Sequence, residues 1–280
     1  VINLSGFSAM KDELERLYKL YNSPSWIHPD PLEFLHYYPD MRDREIVGII
    51  ASSLAYGRVA QILSSVGKIL SVFGPSPYCY LMGSSAESLR RLFLGFKHRF
   101  TTGEEMACLC TGIKGVIEDY GSLEDCFLSG ISGSGCEEIA LAGISFLAEK
   151  LSAEFPGKCN SLVPAPERGS ACKRLHLFLR WMVREDAVDP GGWKKIPASS
   201  LIVPLDTHMY RICRRIGLTR RNDATLMTAI DITRSFRMIA PHDPIRYDFA
   251  LTRLGIRNDS DPEDFFSNIE RRQPKESKEK

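Results

Sequence analysis

The sequence predicts an all-α protein. Three observations carry this expectation. Apolar residues recur at helical spacing in segment after segment, clusters of glycine and proline fall between those segments, and no stretch alternates strongly enough to demand a sheet. With 280 residues, 44% of them hydrophobic and 25% charged, the chain can bury a sizeable core, either as one large domain or as two small lobes sharing a cleft.

Taken in order, Lys11 to Tyr21 reads as a short amphipathic helix, followed by a turn-rich segment from Ser23-Pro24 to His28-Pro29-Asp30-Pro31. Asp43 to Tyr56 is a strongly apolar helix with Ile46, Ile49, Ile50 and Leu54 at helical spacing. Gly57-Arg58 interrupts it, Val59 to Phe73 continues as a second helix, and Gly74-Pro75-Ser76-Pro77 ends that one. Gly103 to Tyr120 is helical up to Gly121, and Glu137 to Glu154 is helical after the loose turn at Ser132 to Gly135. Pro156 to Gly169 reads as a linker. Lys173 to Arg184 is helical, Val188 to Pro204 is irregular, and Asp206 to Ile216 carries Met209, Ile212, Cys213 and Ile216 on one face. Two more helices are expected near Asp223 to Ile239 and Pro244 to Leu254, and the charged stretch Arg271 to Lys280 is expected to be disordered. The expected organisation is an N-terminal helical segment over 1–42, a helical lobe over 43–165, a second lobe over 166–265 and a tail over 266–280.

The formal net charge of +1 neither favours nor excludes a nucleic-acid partner. Local charge is more informative. Between Lys173 and Arg221 there are eleven bases and four acids, a local excess of seven, which suits a surface that tracks phosphates. The alternative is a set of solvated helix faces. The eight cysteines form no CxxC pair, several lie in apolar runs, and none follows Cys213. They read as buried free thiols, with zinc or iron–sulfur ligation as the alternative; no metal and no cofactor is expected. The longest apolar stretches fall short of the about 20 residues that cross a bilayer, and Val1 to Asp12 lacks the pattern of a secretory signal. The expected setting is the cytoplasm and nucleoid, with no membrane partner and a monomeric chain.

Two segments can carry chemistry. In Val203-Pro204-Leu205-Asp206-Thr207-His208, the proline forces an extended residue before it, and Asp206 opens an amphipathic helix. Alone, Asp206 reads more readily as a helix cap. In Arg168-Gly169-Ser170-Ala171-Cys172-Lys173, a turn of small residues leads into an apolar helix with Lys173 in its first turn. The positive end of the helix dipole disfavours an ammonium there, and a neutral lysine is a nucleophile. Alone, Lys173 reads more readily as a surface lysine.

Together the two segments resemble the helix-hairpin-helix DNA glycosylase superfamily, which includes endonuclease III and the 8-oxoguanine glycosylases. Gly169 to Lys173 lines up with that family's Gly-x-Gly-x-Lys hairpin, and Asp206-Thr207-His208 with its catalytic Val-Asp-Thr/Val-His segment. Leu94 to Phe100 looks like its Gly-Leu-Gly-Tyr-Arg-x-Arg segment, and the helix with Ala51-Ser52-Ser53 like its early helix, so the resemblance spans about Asp43 to Gly255. Ala171 replaces the second hairpin glycine. The 33-residue separation of Lys173 from Asp206 exceeds that of endonuclease III and is closer to the archaeal 8-oxoguanine branch. The iron–sulfur cysteines are absent, as in the 8-oxoguanine branches. The chain is also similar to a family of conserved hypothetical bacterial and archaeal proteins marked by Pro-Leu-Asp-Thr-His, here Pro204 to His208.

The resemblance implies a fold of two helical lobes with a cleft between them. It also implies a base-excision-repair activity on double-stranded DNA carrying a damaged base, with an oxidised purine favoured. In that reading Lys173 attacks the sugar and Asp206 assists, with DNA lyase activity through the resulting imine. Gly169, Ser170, Ala171, Arg174, His208, Arg211, Arg214 and Arg215 are the expected DNA contacts, and Tyr56, Phe96 and Trp181 the candidates for stacking on the extruded base. Lys194 and Lys195 are rival nucleophiles, and His176 reads as structural. The alternatives are a nucleic-acid-binding protein that keeps the fold without catalysis, and a monofunctional glycosylase in which Asp206 activates water.

Overall fold

A computed structural model describes residues 4–132, 135–156, 162–164, 170–254 and 262–272. The chain there is mostly helical. Helix α1 covers Leu4–Tyr21, and short 3-10 turns at Pro24–Trp26 and Pro31–Tyr37 follow. Next come α2 (Met41–Ser53), α3 (Val59–Phe73), α4 (Pro77–Gly83) and α5 (Ala86–Leu92). A minimal antiparallel hairpin, β1 (Lys97–His98) and β2 (Thr101–Thr102), leads into α6 (Gly103–Tyr120). Then follow α7 (Leu123–Ser129), α8 (Cys136–Leu151), α9 (Lys173–Val183), α10 (Thr207–Arg215), α11 (Leu226–Ile239), α12 (Asp248–Arg253) and α13 (Pro262–Arg272).

Helix α2 is the central element. Every residue from Glu45 to Ser53 is buried, as expected of a helix that is apolar nearly all round. It packs against α9, the Pro31–Tyr37 turn, α3 and α4. The contact with α9 is close: at Gly48 a Cβ would sit 3.1 Å from the Phe178 ring. Glu45, one turn into α2, is buried and accepts the Leu123 and Glu124 N–H groups at 3.1 and 3.0 Å and the Trp193 indole N–H at 2.7 Å. A helix start exposes unpaired N–H donors, and Glu45 satisfies two of them for α7 from across the core. Burial, partly opposed by these hydrogen bonds, pushes its carboxyl up to about 7.

Helix α6 begins in a capping box, with the Thr102 hydroxyl accepting from Glu105 N–H and the Glu105 carboxylate from Thr102 N–H, and it stops at Gly121 with φ 87°. The buried apolar side chains form one connected core.

Several expectations change here. The stretch 266–272, expected to begin a tail, is the second half of α13, and it buries Phe266 and Ile269 against the core. Helix α1 packs on both α12 and α13, so the first helix and the last meet. The remaining tail residues, 273–280, lie outside the described residues, as does most of the Pro156 to Gly169 linker. Of the described cysteines, Cys108, Cys110, Cys126, Cys172 and Cys213 are buried thiols, whereas Cys79 is exposed; Cys159 lies outside the described residues. Among the described residues, no helix is long and apolar enough to cross a membrane.

Candidate active site

Lys173 and Asp206 meet. The Lys173 ammonium lies 2.7 Å from Asp206 Oδ2, with about a third of each side chain exposed (34% and 32%). Lys173 is the first residue of α9, and Asp206 is the N-cap of α10, in extended conformation after Pro204. The other carboxylate oxygen, Oδ1, accepts the Met209 N–H at 2.8 Å. One carboxylate therefore both caps a helix and pairs with the lysine. Partial burial raises the Asp206 pKa, but the Lys173 charge and hydrogen bond, with the Met209 N–H, outweigh it and hold the carboxyl below its usual range.

Both helix starts are fixed from behind. Arg174 donates to the Ser53 carbonyl at 2.8 Å, at the C-terminal end of α2, and stacks over the Tyr56 ring at 5.0 Å. The Leu254 carbonyl can only accept, so His208 Nε2 donates to it at 2.6 Å, tying α10 to the end of α12.

Two turns along α9 from Lys173, Arg180 is buried between Asp189 (2.8 Å) and Asp248 (2.7 Å). Arg184 pairs with Asp186 (2.8 Å), Asp243 (3.0 Å) and Asp189. Burial pushes the Asp248 carboxyl up to about 6, with the neighbouring Arg180 charge opposing it.

Tyr56 organises a second cluster. Its hydroxyl donates to the His98 carbonyl at 2.8 Å and so accepts from the Thr101 hydroxyl at 2.7 Å, tying the hairpin to the end of α2. His98 is fully buried, with Nε2 3.1 Å from the Tyr56 carbonyl and Nδ1 2.9 Å from the Ser65 hydroxyl. A carbonyl only accepts, so Nε2 carries the proton and Nδ1 accepts from Ser65. Burial keeps the imidazole pKa below its ordinary value, consistent with this neutral ring. At the hairpin tip Arg99 adopts φ 53°, and its guanidinium lies 5.3 Å from the Phe100 ring and 6.0 Å from Tyr56. The sequence reading did not single out His98, Thr101 or Arg99. The signal was a Lys-His-Arg triplet set between two phenylalanines.

The remaining candidates divide. Trp181 is fully buried in the core and cannot stack on an extruded base. Phe96 is half-buried beside a cavity against α3 and outside the Tyr56–Arg174 cluster's hydrogen bonds. Gly169 lies outside the described residues. Ser170 is exposed, but its hydroxyl accepts the Cys172 N–H at 3.2 Å, so that donor is already engaged; Ala171 is buried, and the left-handed residue of the turn is Cys172, φ 42°.

Arg174 is committed to Ser53 and Tyr56 rather than to a phosphate. Arg215 is bidentate to Glu263 at 2.6 Å and stacks on Phe266, which makes it a contact to α13. Arg211 and Arg214 are exposed, as are Arg220 and Arg221. Arg180 and Arg184 are internal, which removes two bases from the local excess read as a phosphate surface. Lys194 pairs with Glu185, and Lys195 with Asp125 at 2.6 Å, so neither rival nucleophile is paired with Asp206. His176 is buried, neither ring nitrogen has a hydrogen-bond partner among the described residues, and burial lowers its pKa to about 4.

Residues 30–257 match the family described as Protein of unknown function (DUF2400). The chain belongs to that family. The matched span contains Lys173, Asp206 and the whole Tyr56 cluster. No curated protein and no solved structure matches the chain.

Proposed function

We propose that this DUF2400 protein is a DNA glycosylase with lyase activity, of the helix-hairpin-helix type, with its site between two helical lobes. The observation that carries the reading is the 2.7 Å pairing of Lys173 with Asp206, brought together at the starts of two helices from 33 residues apart. A damaged nucleotide must leave the base stack before its C1′ atom can be reached. In the resting pair the lysine is an ammonium, and Asp206 is within reach of its proton. Once the proton has passed by way of Asp206 to water, which leaves the carboxylate charged, the amine attacks C1′. The glycosidic bond breaks, and the base leaves with the bonding electrons and gains a proton. The Asp206 carboxylate stabilises positive charge developing on the sugar. A proton then passes from the new C1′ amine to O4′, the C1′–O4′ bond breaks and the sugar opens to an imine. The imine acidifies the neighbouring C2′ hydrogens, and loss of one expels the 3′ phosphate.

The surroundings support this reading. Exposed Arg211, Arg214, Arg220 and Arg221 lie on α10 and the loop after it, where a phosphate backbone can be held. Tyr56 is half-buried beside Arg174, next in sequence to the nucleophile. Phe100, 74% exposed beside Arg99 on the hairpin held by Tyr56, would in this reading be the apolar group that enters a stack that has lost a base.

The test is borohydride trapping on duplexes that each carry one defined lesion. The wild-type chain should form a covalent adduct with at least one oxidised purine. Lys173→Ala should form none, and Lys194→Ala and Lys195→Ala should trap like wild type. Base release without an adduct would shift the assignment to attack by water with Asp206 as base. Binding to every duplex with neither adduct nor base release would refute catalysis.

A further inference from the structure

The cavity between α3 and the segment entering β1 takes no part in the reaction above. It encloses about 420 Å³, within the size range of small-ligand sites. Its wall from α3 carries Ser65, Lys68 and Val72, and the opposite wall carries Phe93, Phe96 and Lys97. Lys68 and Lys97 are exposed at its edges, and no lining residue is acidic. Aromatic and aliphatic walls with two cationic edges suit a planar ligand that bears negative charge.

Ser65 narrows the class further. Its hydroxyl proton is committed to His98 Nδ1, because His98 Nε2 must keep its own proton for the Tyr56 carbonyl. Whatever face the Ser65 oxygen turns to the cavity is therefore an acceptor only. A ligand that meets it must bring an N–H or O–H.

We propose that this cavity binds a nucleoside monophosphate, free or as a unit of a strand, with its base along Phe93 and Phe96, a ring amine donating to Ser65, and its phosphate between Lys68 and Lys97. The site stands apart from the Lys173–Asp206 pair. It connects to it through Ser65, His98, Tyr56 and Arg174, so an occupant bears on the chain of contacts that holds the start of α9.

The test uses 2-aminopurine deoxynucleoside 5′-monophosphate, whose fluorescence is quenched when its ring stacks. Wild-type protein should quench it saturably. Lys68→Glu/Lys97→Glu should weaken binding by about tenfold or more, and Val72→Trp, which fills the cavity, should abolish it. All three positions are exposed, and circular dichroism and thermal unfolding check that the variants stay folded. The purine analogue without the amine should compete about tenfold more weakly. Repeating the titration with 2-aminopurine inside a single-stranded oligonucleotide separates the two sources: tighter binding of the strand assigns the site to nucleic acid, and tighter binding of the mononucleotide assigns it to a free ligand. No saturable quenching by either probe, quenching unchanged in the folded variants, or equal competition by the amine-free analogue would overturn the proposal. Borohydride trapping on the same samples keeps the two readings apart, since adducts without quenching refute only this cavity, and quenching without adducts refutes only the catalytic reading.

Discussion

Replacing Asp206 in two ways separates its structural role from its chemical one. Asp206→Ala removes both the cap on Met209 N–H and the pair with Lys173. A lost cap costs about 1 kcal/mol, and an ion pair a third exposed contributes less than about 1 kcal/mol after solvent screening. The alanine variant should therefore lose about 1–2 kcal/mol, which lowers the unfolding midpoint of a chain this size by roughly 3–6 °C. Asp206→Asn keeps a good capping oxygen and loses only the charge, so its midpoint should fall by about 2 °C or less. Activity should divide differently. Neither variant has a carboxylate to take the lysine proton or stabilise the sugar cation, so both should slow adduct formation by about 10²–10⁴-fold. Scanning calorimetry and single-turnover borohydride trapping measure the two effects on the same samples. An asparagine variant that traps at near the wild-type rate would refute the catalytic role, and one as unstable as the alanine variant would refute the cap.

Three further outcomes follow from the geometry. Arg180→Met leaves Asp248 buried without its partner and Asp189 with Arg184 alone, and should cost about 3–5 kcal/mol in denaturant unfolding; a loss below about 1 kcal/mol would contradict the buried pairing. Gly112→Ala places a Cβ 2.3 Å from the Leu151 carbonyl oxygen, and the overpacking, about 1–3 kcal/mol, should exceed the gain of about 1 kcal/mol in helix propensity, so a stabilised variant would refute the close approach of α6 to α8. Glu45 holds its proton to about pH 7 when folded, against 4.5 for the free group. Its contribution is fully present below pH 4.5 and is lost as pH rises through 7, at up to about 1.4 kcal/mol per unit. Glu45→Gln should flatten the stability profile in that window, and unchanged slopes in urea titrations would show that Glu45 is not its source.

Much of the helical plan was legible because local signals bound the long helices. Val59–Phe73 and Gly103–Tyr120 begin and end where the glycines, prolines and caps indicate. The seven-residue helices Pro77–Gly83, Ala86–Leu92 and Leu123–Ser129 passed unnoticed, since two turns carry too little periodicity to stand out and Leu123–Ser129 takes its cap partly from distant Glu45. Helix α13 was hidden because charged residues surround the few apolar side chains that pack against α1.

The site was legible as a pair of residue types, Lys173 in the first turn of one helix and Asp206 at the start of another. Their separation in space was not, because it depends on how α2, α9, α10 and α12 pack. Nor could composition distinguish one arginine from another. Arg180 and Arg214 are chemically the same, yet one is locked among buried aspartates and the other faces water.

The sequence by itself determined the long helices and the chemical groups available at their ends, because those depend on neighbours a few residues apart. Only the tertiary structure decided that Lys173 meets Asp206, that Trp181 belongs to the core and that His98 holds Tyr56. Each of those outcomes depends on which faces are buried together, and burial is a property of the packed chain rather than of any one segment.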